Sequence, residues 1–139
     1  MKILFVGLSN KINKEPFDKT TNSGEVIHQI INKTGHECYL INLVQFAPLD
    51  KNGKLRYPKR SEIKQEIPKF IEYINKLNPD LIIGFGKIVE RELGQIDIKN
   101  KNIIFKVHPS YICVYKRKLL DIYIDDVVES IEKNLQHRN

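Results

Sequence analysis

The chain has 139 residues, of which 41% are hydrophobic and 29% charged, and its formal net charge is +6. That length suits one domain, residues 1–139, around one core. Its apolar runs fall far short of the ~20 residues a membrane-spanning helix needs. The two cysteines, Cys38 and Cys113, form no CxxC pair; a zinc ribbon is disfavoured, a four-cysteine iron–sulfur site cannot form within one chain, and both read as small apolar residues. The positive balance fits a polyanionic partner, and it equally fits a soluble protein with a lysine-rich surface.

Lys2 to Leu8, KILFVGL, is continuous, β-rich and apolar, the pattern of a strand buried on both faces. The start has no small-residue cleavage site, so it reads as that strand and not as a signal peptide, and a cytoplasmic location is expected. A polar loop, Ser9 to Ser23, follows; loops this long in compact domains are usually functional or disordered. From Gly24, the spacing of Val26, Ile27, Ile30 and Ile31 predicts a helix that ends on Gly35. Cys38 to Val44 is a second buried strand, followed by the polar loop QFAPLDKNGKLRYPKR. Ser61 can cap a long helix with Ile63, Ile67, Phe70, Ile71, Ile74 and Leu77 on one face. Pro68 should kink that helix or mark its true start. NPDLIIGFG holds a third strand, and a short helix after Gly86 turns Ile88, Val89 and Leu93 inward. Asn102 to Val107 is a fourth strand, and the last helix carries Leu119, Leu120, Tyr123, Ile124, Val127, Val128, Ile131 and Leu135 on one face.

The order βαβαβαβα predicts an α/β fold, a parallel sheet with helices on both faces. Ligands in such folds bind at the carboxyl ends of the strands. Four segments therefore share one rim: Gly7 to Ser23, Asn42 to Arg60, Gly84 to Lys87 and His108 to Arg117, the last read as a loop. No GxxxxGK[ST] motif is present, and GFGK lacks the third glycine of a dinucleotide fingerprint; Gly84 and Gly86 read as packing and turn residues. No HExxH motif or carboxylate cluster suggests a metal, and no cofactor is expected.

Ser9, Asn10, Phe17, Asp18, Asn42, Tyr57 and His108 stand on the rim. Asn42 interrupts an apolar strand near its end; its amide either satisfies loop backbone or presents a donor and an acceptor side by side, the pattern that the O4 and N3–H edge of uracil requires. His108 either is a satisfied structural residue or, directed by Pro109, holds a donor against a developing anion. After it, Tyr111 and Ile112 are expected to be exposed apolar groups, with Lys116, Arg117 and Lys118 as phosphate-binding candidates; apolar wedges beside cations suit base flipping.

Taken in order, the rim segments resemble the uracil-DNA glycosylase superfamily over about Lys2 to Leu135. FVGLSN…PFDKTTNSGEVI is similar to the first family motif, YLINLVQFAP to the segment with the base-reading asparagine, and KVHPSYI to the histidine motif with its DNA-inserting loop. RSEIKQEIPKFIEYINKLNPDLIIGFGKIVERELG resembles the bacterial and archaeal branches that carry iron–sulfur cysteines, which this chain lacks. The resemblance implies a three-layer αβα sandwich with a central four-stranded, mainly parallel sheet. It implies a monomeric, metal-free DNA repair hydrolase that flips and excises uracil or another deaminated base, with DNA as partner and no membrane association. Phe17 would stack on the flipped base, beside Leu8 and Asn10, and Asn42 would bind its edge. His108 would stabilise charge on the leaving base. Tyr111 and Ile112 would wedge the duplex, and Ser110, Lys116, Arg117 and Lys87 would contact the backbone. Most branches place an acid or asparagine within two residues after the first-motif glycine, and often a proline next. Here Leu8, Ser9 and Asn10 stand there, and Thr21 and Asn22 replace an archaeal-type aspartate, so Ser9 and the nearest carboxylate, Asp18, are the candidates for holding water. Two other expectations stand beside the enzyme: the same fold that only binds nucleic acid, a free base or a nucleotide, and a flavodoxin-like small-molecule protein.

Overall fold

The computed structural model describes residues 1–98 and 102–136. Four strands, β1 (Lys2–Ser9), β2 (Glu37–Val44), β3 (Leu81–Phe85) and β4 (Ile103–Lys106), form one sheet in the order β2-β1-β3-β4. All three pairings are parallel, so the sheet is wholly rather than mainly parallel. The helices are α1 (Asn22–Thr34), α2 (Arg60–Leu77), α3 (Lys87–Leu93), α4 (Pro109–Tyr115) and α5 (Leu120–Gln136), with a single 3-10 turn at Arg117–Leu119.

The continuous apolar strands are buried on both faces, as parallel sheets require. One face carries Ile3, Phe5, Ile83 and Phe85 against α1 and α5, through Ile27, Ile30, Val127 and Ile131. The other carries Leu4, Val6, Leu43 and Ile82 against Ile63, Phe70 and Ile74 of α2 and Val89 and Leu93 of α3. Three layers result. Cys38 and Cys113 are half-buried against the first core. No described helix is long and apolar enough to cross a membrane.

Several boundaries differ from the sequence expectation. α1 starts two residues before Gly24, because the Thr21 hydroxyl accepts from the Gly24 N–H at 3.0 Å and caps the helix. Gly35 ends it in the left-handed region, φ 69°, as expected. Ser61 is not the cap of α2; the Glu62 carboxylate accepts from the Lys59 N–H at 2.8 Å and closes that end. Pro68 neither begins α2 nor ends it. It lies on the exposed face, where water can satisfy the carbonyl that loses its N–H partner. The stretch after β4 is not a loop: His108 caps α4, with Pro109 at its first position, where a missing N–H costs nothing.

Strand order reverses between β1 and β3, and such a switch point opens a crevice at the strands' carboxyl ends. Gly84 packs tightly beneath its neighbours, since a Cβ there would lie 2.9 Å from the Phe105 ring and 3.0 Å from Val89 Cγ1. Gly84→Ala should therefore destabilise the fold by about 1–3 kcal/mol through overpacking. Urea unfolding checks this, with the circular dichroism of the native state unchanged.

Candidate functional site

A cleft of about 920 Å³ opens at the switch point, walled by the ends of β1 and β3, the loops after β1 and β2, and α4. The inner wall depends on Gly7. A Cβ there would collide with Asn42 Oδ1 and come to 3.0 Å from the Phe17 ring. The missing side chain lets Asn42, directly across the β1–β2 pairing, and Phe17 occupy the same corner.

Asn42 is buried at 5% exposure. Its Nδ2 donates to Asn10 Oδ1 at 2.8 Å, which spends one N–H and couples the orientation of the two amides. Flipping it alone would set two carbonyl oxygens against each other. One N–H and the carbonyl Oδ1 remain for a ligand. Phe17 is buried, its ring edge-on to Phe85 (centroids 5.6 Å) and nearly parallel to the His108 ring (6.2 Å, 25°). Its backbone sits at φ 50°, a left-handed conformation that costs a non-glycine residue about 1–3 kcal/mol. The surrounding loop holds it there: Thr21 donates to the Asp18 carbonyl through both N–H (3.0 Å) and hydroxyl (2.8 Å), and His28 Nε2 reaches the Phe17 carbonyl at 3.1 Å.

His108 leaves β4 beside the Gly86 turn, whose φ of 96° favours glycine. The Tyr123 hydroxyl donates to the Val107 carbonyl and anchors the chain one residue earlier. His108 Nδ1 accepts from the Ser110 peptide N–H at 3.1 Å, and Ser110 Oγ lies 2.7 Å from the same nitrogen. In the neutral ring the proton therefore belongs on Nε2, which makes Nε2–H a free donor at the cleft. Burial, and secondly the nearby charge of Lys11, push the His108 pKa down to about 4, so the ring is neutral at physiological pH.

The remaining sequence candidates divide. Leu8, Ser9, Asn10, Asp18, Ser110, Tyr111 and Lys87 all line the cleft. Asp18 works chiefly as a loop staple: its Oδ1 accepts from the Thr20 N–H (2.9 Å) and hydroxyl (2.7 Å), and its Oδ2 from the Glu15 N–H (3.4 Å). Those bonds, the Thr20 N–H first, hold its pKa below the usual value. Ile112 corrects the expectation of an exposed wedge. At 9% exposure it is buried, because the helical turn of α4 points it at the core and leaves Tyr111 outside. Lys116 and Arg117 are exposed beyond α4 and do not line the cleft. The cleft's cations are Lys87, as expected, together with Lys11, Lys14 and Arg56. Sequence reasoning missed Lys11, Lys14, Ser23 and His28, which carry no signal beyond lying in or just after the long first loop; buried Tyr123 could have been suspected, since a buried tyrosine hydroxyl needs a partner.

A parallel α/β sheet with a cleft at its switch point, largely apolar and holding a few convergent polar groups, defines the class. The model of the uracil DNA glycosylase superfamily matches residues 1–132, and the chain belongs to that superfamily. Among solved structures the fold is similar to that of SMUG2 from Pedobacter heparinus, with a TM-score of 0.71 and 19% identity over 95% of this chain and 75% of that one. No curated protein matches the chain.

The strained loop generates a prediction. His28→Leu leaves the Phe17 carbonyl without its side-chain donor and should cost about 1–3 kcal/mol, with faster amide hydrogen exchange at Thr21 and Gly24. His28→Gln, which keeps an N–H donor, should recover most of the loss.

Proposed function

We propose that the protein flips uracil, or another deaminated base, out of DNA and hydrolyses its N-glycosidic bond. The observation that carries this reading is the presence, in one cleft, of a buried amide bonded to Asn10 and a neutral imidazole whose free N–H is Nε2. A uracil stacked on Phe17 offers N3–H to Asn42 Oδ1 and O4 to the remaining Asn42 N–H. Cytosine presents the opposite pattern at both atoms, so the amide in this orientation rejects it.

As the bond between C1′ and N1 breaks, its electron pair passes to the base and negative charge gathers on O2. The His108 Nε2–H meets that charge without surrendering its proton, and a preplaced donor of this kind contributes about 10²–10³-fold in rate. Water then adds to C1′. Its oxygen becomes the sugar hydroxyl, the proton it loses is balanced by the one the departing uracil anion takes up, and the products are free uracil and an abasic site. Ser9 and the ionised Asp18 stand on the cleft wall as the groups to hold that water and receive the proton. This mechanism asks little of a general base, in keeping with an Asp18 already engaged by its own loop.

That engagement also favours a second reading, a cleft that binds deaminated DNA without cutting it. Excision of uracil from labelled oligonucleotides, single-stranded and duplex, separates the two. The first reading expects abasic product, with His108→Ala lowering the single-turnover rate about 10²–10³-fold and Asn42→Ala lowering it about 10–100-fold. Because the ring is neutral above about pH 4, the rate should show no inflection near 6.5. A histidine-dependent change should appear only as pH drops toward 4, where a proton on Nδ1 replaces the bond from the Ser110 N–H. Binding without product at high enzyme concentration would sink the first reading and favour the second.

A further inference from the structure

Cleavage leaves a full negative charge on the departing base, and His108 meets that charge with a neutral N–H. A net positive charge within reach would stabilise it further. Four cations line the cleft, Lys11, Lys14, Arg56 and Lys87, together with the carboxylates of Glu15 and Asp18. Two of the cations are engaged by the fold itself. Arg56 holds Glu62 by bonds of 2.7 and 3.1 Å. Lys14 Nζ donates to Thr20 Oγ1 at 2.7 Å, and its charge favours the ionised Asp18 that accepts from the same hydroxyl. The side chains of Lys11 and Lys87 have no hydrogen-bond or ion-pair partner among the described residues.

Lys11 differs from Lys87 in what stands around it. The preceding residue, Asn10, is fixed twice: its N–H donates to the Val44 carbonyl at 3.2 Å, and its Oδ1 accepts from Asn42 at 2.8 Å. The chain then turns, with the Lys14 N–H donating to the Lys11 carbonyl at 3.3 Å and Asn13 in the left-handed region, φ 54°. The Lys11 backbone is therefore held on both sides, one residue from the group that binds Asn42. Its side chain is exposed, so its charge stands without the desolvation penalty that keeps His108 neutral.

Among the described residues, Lys11 is the charged group whose field reaches the His108 ring; after burial, it is the second cause that lowers the ring's affinity for a proton. A cation placed to repel a proton from His108 is placed to attract the electron pair that gathers on a base bonded to His108. The sugar left behind carries the opposite charge, so such a cation helps only where it stands nearer the base than C1′. The base is the partner of Asn42 and His108, and Lys11 adjoins the residue that Asn42 holds.

We propose that Lys11 supplies the positive charge of the leaving-group site: its ammonium, carried into the cleft by the turn after β1, stabilises the uracil anion as it departs. The C1′–N1 electron pair passes to the base, and Lys11 keeps all its protons throughout. The assignment rests on the glycosylase reading for the identity of the leaving group, but the charge can be tested on free uracil without any cleavage.

The test uses the full chain as wild type, Lys11→Met and Lys11→Arg; the altered side chain is exposed, and circular dichroism checks that each variant is folded. Excision from a single strand with one deoxyuridine gives kcat and KM. In parallel, free uracil is bound to each protein, and loss of its N1 proton is followed by ultraviolet difference spectra above about pH 5, where His108 is neutral. The proposal expects Lys11→Met to lower kcat about tenfold with KM little changed, and to make the N1–H of bound uracil about tenfold less acidic. Lys11→Arg, which keeps the charge, should recover most of both. A KM that rises while kcat holds assigns Lys11 to a DNA phosphate and overturns the proposal, as does a Lys11→Met variant that cuts as fast as wild type or faster. Bound uracil of equal acidity in wild type and Lys11→Met also overturns it, even where excision proceeds. Absence of excision, with Lys11-dependent acidity of bound uracil intact, sinks the glycosylase reading and leaves this assignment standing. Absence of both excision and uracil binding removes the two together.

Discussion

The cleft depends on a side chain that is not there. At Gly7 the central strand leaves a gap into which Asn42 Oδ1 and the Phe17 ring both fit, and any larger residue would push them apart. Parallel pairing places Asn42 opposite Gly7 at the end of β2, and the switch in strand order opens the space between β1 and β3. The loop that carries Phe17 must then turn back over Gly7. It does so at the cost of a left-handed phenylalanine, offset by the hydrogen bonds of Thr21, Asp18, Thr20 and His28. Strain of this kind persists only where the surroundings over-determine it, and it tends to gather at functional sites.

Orientation is the second constraint. Both polar groups that face the cleft have an ambiguity that the protein removes: the amide of Asn42 could flip, and the ring of His108 could carry its proton on either nitrogen. Asn10 ties the first to its own orientation through one bond, and the Ser110 peptide N–H settles the second. Preorganised dipoles of fixed direction do more for a developing charge than dipoles that must turn to meet it. A depressed histidine pKa belongs to the same design, since a neutral donor in a partly buried site avoids the cost of a standing charge.

The layered fold was legible because it rests on pattern: unbroken β-rich runs for buried strands, 3.6-residue spacing for the helices. Asn42 and His108 were legible as polar interruptions at strand ends, where an α/β sheet places its ligands. Other features turn on geometry that no spacing encodes. Ile112 looked like Tyr111 in a presumed loop; one turn of helix, started by His108 and Pro109, sends them to opposite sides. Asp18 looked like a free carboxylate until the loop folded back and engaged its oxygens. The Asn10–Asn42 bond joins residues 32 positions apart and follows only from the pairing of β1 with β2. Lys116 and Arg117 form a basic cluster in the sequence, whereas the cations at the cleft are scattered through the chain.

The central claim is that a neutral His108, protonated on Nε2, and the Asn42 amide together bind uracil at the inner end of the cleft. Nitrogen-15 NMR of the labelled protein at pH 6, titrated with free uracil, tests it most directly. The account predicts an unprotonated Nδ1 and a protonated Nε2 before uracil is added, with the His108 Nε2–H and Asn42 Nδ2 resonances both shifting as it binds. A His108 ring that titrates near 6.5, or uracil that leaves both resonances unmoved, would contradict it.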